Sequence, residues 1–147
     1  MNKLAIAVLL VSATAVPVVA QQVKLEDQIK YRRAAYTLMG LNMGNLGAMA
    51  QEKKPFNKED AQKSADLVAI LSTVPKHYFG EGTDKDTKAK PEIWAKRADF
   101  DAKMEKMNTE AAKLPGVVRT GDMGAFKKQV GDTSASCKAC HDDYRAK

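Results

Sequence analysis

Only two cysteines and two histidines occur among the 147 residues of the chain. Three of these four residues fall in one short run, Cys137-Lys138-Ala139-Cys140-His141. Two thiols build no disulfide framework, and a bridge from Cys137 to Cys140 would close too small a loop to act as a staple. A structural zinc centre needs four protein ligands, and His77 is the one remaining histidine. No segment reads convincingly as a strand, which removes the βαβ setting of a thioredoxin-like C-x-x-C pair. A sustained basic run is also missing. The net charge of +6 arises from lysines and arginines interleaved with acids, as in KAKPEIWAKRADFDAKMEKMNTE, which reads as a solvated helix surface. Nucleic acid is not an expected partner.

A long uninterrupted apolar segment is lacking as well. The N-terminal run LAIAVLLVSATAVPVV is short for a bilayer, is broken by Ser12, Thr14 and Pro17, and has no charged stop-transfer flank. With Lys3 before it and Val18-Val19-Ala20 after it, the run reads as a signal peptide over residues 1–20. The expected mature chain, residues 21–147, has the length of one domain. It is expected to be exported, with no membrane anchor after cleavage.

Prolines are few and act as punctuation. Pro55, Pro75, Pro91 and Pro115 separate segments rich in Ala, Leu, Met, Lys and Glu, which predicts helices at 25–50, 58–74, 92–114 and 121–146. Each carries an apolar stripe at steps of three and four. In the first, the stripe is Leu25, Ile29, Arg32, Tyr36, Met39, Met43, Leu46 and Ala50. The second places Ala61, Ala65, Val68 and Leu71 inward, with Asn57 as N-cap. The third aligns Ile93, Arg97, Phe100, Met104, Met107, Ala111 and Leu114, and the fourth aligns Phe126, Val130, Thr133, Cys137, Cys140 and Tyr144. The expected fold is all-α, an antiparallel four-helix bundle. The stretch HYFGEGTDKDTKAKP reads as a solvent-exposed crossover. Gly40, Gly44 and Gly47 suggest either a thin helix face for close approach or simple fraying.

The run C-x-x-C-H is the attachment pattern for c-type haem. Residues three apart share a helix face, so Cys137 and Cys140 can both reach the vinyl edge of one porphyrin. His141 then offers its imidazole as axial ligand. Met39, Met43, Met49, Met104, Met107 and Met123 are candidates for the opposite axial position or, alternatively, plain core filling. Tyr36, on the Met43 stripe, is a candidate to stand over an open iron. His77 is read as a surface histidine.

With these motifs assembled, the chain resembles the cytochrome c′ family, the class II c-type cytochromes. IKYRRAAYTLMGLNMGNLGAMAQEKKPFN is similar to the family's first helix and turn, PEIWAKRADFDAK to its third helix, and TSASCKACHDDYRAK to its C-terminal segment. The resemblance implies one haem c bound through Cys137 and Cys140, with His141 on the iron and Arg145 beside that histidine. It also places Arg32 near the haem edge, facing a propionate, and Tyr36 at the distal position. A tyrosine there resembles the five-coordinate, high-spin members, which bind NO or CO; a methionine-ligated low-spin carrier is the alternative. The implied role is electron transfer with a periplasmic redox partner, or nitric oxide scavenging or sensing, in a homodimer formed through the first helix. No distal histidine is available as an acid/base group, so an enzyme is not expected.

Overall fold

Leu25–Ala50 forms the first helix, α1, of a computed structural model that describes residues 23–147. The expected signal segment, residues 1–20, lies outside the described residues. Helix α2 follows at Lys58–Ser72, a 3-10 turn at Pro75–Tyr78, then α3 at Glu92–Ala95, α4 at Arg97–Thr120 and α5 at Met123–Tyr144. Among the described residues, the β pairing is a single isolated antiparallel bridge between Ala89 and Arg145.

Local chemistry sets the helix ends. The Asn57 side chain accepts from the Asp60 amide at 3.0 Å, and Asp122 accepts from the Ala125 amide at 3.0 Å, each satisfying a free N–H of the first turn. Glu26 and Asp27 lie in the positive first turn of α1. Gly121 closes α4 at φ +74°, a left-handed geometry that a side chain would resist.

The four long helices pack in a ring: α1 on α2, α2 on α4, α4 on α5, and α5 back on α1. Neighbours run antiparallel. Asn45 bonds Ser64 at one end of the α1/α2 pair, while the Tyr31 and Tyr78 rings meet edge-on near the other. In the α4/α5 pair, Gln129 bonds Glu110, and Tyr144 bonds Asp99. The expected antiparallel four-helix bundle is therefore the observed fold.

The core divides into two clusters. One end of the bundle buries Leu46, Met49, Val68, Leu114, Phe126 and Val130. The other buries Met39, Phe79, Phe100, Met104, Cys140 and Tyr144. Covering each large apolar side chain contributes about 1.5–3 kcal/mol. In the second cluster Phe100 meets Phe79 and Tyr144 edge-on, at 4.8 and 5.3 Å between centroids, the geometry aromatic quadrupoles favour.

Three expectations change. The third helix is two pieces, broken at Lys96 (φ −123°, ψ 46°), and it runs through Pro115 to Thr120. Proline costs a helix interior about 3 kcal/mol, but Leu114, Pro115 and Val118 are buried there, which offsets that cost. Leu25 and Arg97, assigned to inward stripes, are exposed. Finally, the crossover is anchored to the bundle, with Phe79 and Thr83 buried. Gly80 allows the close fit: a Cβ there would lie 2.8 Å from Gln28 Oε1. Gly82 turns the chain at φ +79°.

Candidate cofactor site

The three-residue spacing brings Cys137 and Cys140 to the same side of α5. Both are free thiols; Cys140 is buried and Cys137 is half-buried. Cys140 belongs to the cluster that holds Met39, Phe100 and Met104, and Cys137 packs against it. Burial pushes both thiols up, Cys140 to about 11, so both stay protonated at neutral pH. This is opposite to the lowered pKa of a catalytic cysteine. His141 follows with an exposed side chain. Partial burial of the ring, and then the Arg145 charge, lower its pKa, which favours the neutral imidazole that binds metals.

From α1, Tyr36 packs against the same cluster. Its hydroxyl donates to Met104 Sδ at 3.6 Å. Burial, reinforced by nearby Cys140, holds the phenol well above its ordinary pKa, so it acts as a neutral donor. Met39, Met104 and Met107 share this cluster, whereas Met43 packs against the other one. Met49 and Met123 lie with Met43 in or against the cluster that lacks the cysteines.

Arg32 is buried at 2% exposure. Its guanidinium donates to Tyr78 O at 3.0 Å, to Thr83 Oγ1 at 2.7 Å and to Thr83 O, and lies 4.4 Å from the centre of the Phe79 ring. The structure thus turns Arg32 toward the crossover, where desolvated carbonyls need a donor. Arg33 donates to Asp86 O. Arg145 caps α5, its amide donating to His141 O at 3.1 Å, and its side chain is exposed. His77 is exposed in the 3-10 turn.

The structure brings Cys137, Cys140 and Tyr36 into one cluster, with His141 in the last turn of α5 and Arg145 at its C-cap; sequence reasoning named all five as candidate site residues. It missed Trp94, whose indole N–H donates to Phe79 O and Gly80 O at 3.2 and 3.0 Å, and the contact between Tyr36 and Met104. It also missed Glu110, buried between Lys106 and Lys113 at 2.7 and 2.9 Å. The i, i+3 and i, i+4 lysines around Glu110 were a legible signal. The pairing of Tyr36 with Met104 was not, because it joins residues 68 positions apart.

The donor set fits a covalently attached haem. Two free, protonated thiols share one helix face, an imidazole follows, and the adjoining wall is thioether and aromatic surface. A helical bundle bearing this set on its last helix defines a c-type cytochrome. Known proteins agree. A match to the family described as Cytochrome C′ spans residues 27–145. The chain is 42% identical over 123 residues to the cytochrome c′ of Rubrivivax gelatinosus, covering 82% of this chain and 95% of that protein. The solved structure of cytochrome c prime from Shewanella frigidimarina superposes with a TM-score of 0.82 at 41% identity, covering 84% and 98% of the two chains. A nitric oxide complex of a cytochrome c prime variant from Alcaligenes xylosoxidans gives 0.78 at 35% identity, covering 84% and 98%. The chain belongs to the cytochrome c′ family, whose members are haem-binding electron-transfer proteins.

Proposed function

We propose that this chain is a periplasmic electron-transfer cytochrome, not an enzyme, that carries one haem c and binds nitric oxide or carbon monoxide at an open distal position. Cys137 and Cys140 would hold the group as thioethers and His141 would be its protein axial ligand. When bound, haem supplies one-electron redox chemistry and an exchangeable axial position. The chain's own contribution is a dry, apolar surround for the cysteines. Phe79, Phe100 and Tyr144 exclude water, Tyr36 supplies a neutral hydroxyl, and Arg145 places positive charge near His141.

The observation that carries the reading is Tyr36, kept a neutral phenol by its burial and so a poor iron ligand, packed against the cluster that holds the attachment cysteines. The nitric oxide complex of the Alcaligenes relative supports the gas-binding half. Among the described residues, no helix is long and apolar enough to cross a membrane.

Absorption spectra of the oxidised and reduced protein, with and without carbon monoxide and nitric oxide, test the reading. A high-spin spectrum that shifts with gas is expected. A low-spin spectrum indifferent to gas would replace it with a methionine-ligated carrier, for which Met39 and Met104, buried in the cluster with Cys140, would be the candidates. Tyr36→Met is expected to raise the low-spin fraction and weaken carbon monoxide binding. An unchanged spectrum and affinity in that variant would remove Tyr36 from the distal position.

A further inference from the structure

A groove of about 330 Å³ opens on the surface between the 3-10 turn and α4. Lys76 and His77 form one wall, while Arg97, Asp101 and Glu105 form the other. Among the described residues that line it, Met104 alone is apolar; at 1% exposure it forms the floor. The same side chain accepts the Tyr36 hydroxyl on its inner side. One thioether therefore stands between this groove and the buried Tyr36 hydroxyl.

Met104 is also the softest part of that boundary. Methionine has three rotatable bonds and no branch, and its contact with Tyr36 is a single long sulfur hydrogen bond of 3.6 Å. Its neighbours are more constrained: Phe100 is wedged edge-on between Phe79 and Tyr144, and Tyr144 is bonded to Asp99. The rim above it is loose. Lys76 meets Glu105 at 3.9 Å across the groove with both side chains substantially exposed, and such pairs contribute little.

We propose that Met104 is a movable partition between this groove and the distal pocket, latched by Tyr36, and that a small neutral ligand enters when the thioether swings aside. This rests on the gas-binding reading above. A second cavity of similar volume, between α1 and the end of α2, is lined by Tyr31, Leu38, Val74 and Tyr78 among others. The Tyr36 hydroxyl donates to Met104 and not to a residue lining this second cavity, so it is the alternative entrance that the experiment must distinguish.

A gate alters passage without altering the bound state. In the haem-loaded protein, Met104→Ala is expected to raise the carbon monoxide association and dissociation rates together, by roughly tenfold. Met104→Phe should slow both. Identical rates in all three proteins, or a Kd that moves with only one rate, would overturn the gate. The latch has a readout independent of gas. Tyr36→Phe keeps the ring and frees the sulfur, so a mild chloramine oxidant should convert Met104 to its sulfoxide faster than in wild type, as read by peptide mass spectrometry. Met39 and Met107 should be unaffected. Equal Met104 oxidation in the two proteins would overturn the latch. A wild-type protein that binds no carbon monoxide would sink the gas-binding reading itself, and the entry proposal with it.

Discussion

Glu110 shows what a single residue contributes when its neighbours are arranged around it. Lys106, then Gln129 and Lys113, hydrogen-bond its buried carboxylate and hold it down to about 2. The ordinary value is 4.5. A depressed folded-state pKa means the unfolded chain takes up the proton first as pH falls. The stabilisation from Glu110 is therefore complete above about pH 4.5 and is lost progressively toward about 2. Urea unfolding at a series of pH values should show this acid-side loss, and Glu110→Gln should flatten it while lowering stability at neutral pH. Curves that run parallel in the two proteins would mean the carboxylate does not titrate as described. Tyr144 is shifted the other way, to about 12, because it donates to Asp99, so it remains a hydroxyl at every pH the protein meets.

At the scale of elements, the crossover between α2 and α4 is held by side chains from the helices on either side of it. Arg32 bonds Tyr78 and Thr83 from α1, and Trp94 bonds Phe79 and Gly80 from α3. Arg32→Gln is expected to destabilise the protein by about 2–3 kcal/mol and to speed amide exchange across residues 79–89 relative to α5. Exchange unchanged in that segment would show that Trp94 and Arg97 suffice. The same crossover marks where sequence reading ran out. Helix spans, the Asn57 cap and the C-x-x-C-H site are local signals, written in spacing and propensity. Burial of Thr83 depends on a guanidinium 51 positions away, and the passage of α4 through Pro115 depends on burial of the surrounding turn. Propensity alone reads the first as exposed loop and the second as a helix end.

For the whole molecule, the two-cluster core separates stability from the site. Phe126→Ala removes an aromatic ring from the cluster without the cysteines and should cost about 3–5 kcal/mol. The absorption spectrum should stay unchanged, since distant sites act independently. A spectral shift would show that the two ends are coupled. The outer face of α1 and α2 is the other whole-molecule feature. Leu38, Leu41, Leu67 and Ile70 are 46–70% exposed, and a Cβ added at Gly40 or Gly44 would meet nothing within 4 Å. Among the described residues, the close approach their spacing suggested is not made at Gly40 or Gly44. We propose that a second copy makes it. Sedimentation should then show a dimer that Leu41→Glu converts to monomer, and a wild-type monomer at high concentration would refute this.

The burial of Cys140 bears on the order of events during biogenesis. A thiol on the inner face of α5, protonated and packed beneath aromatic rings, is out of reach of any large reagent once the helix has docked. On the proposed attachment, the porphyrin must therefore be joined while α5 is still undocked. A haem so attached would be something the bundle closes around, and the last helix would carry it into place.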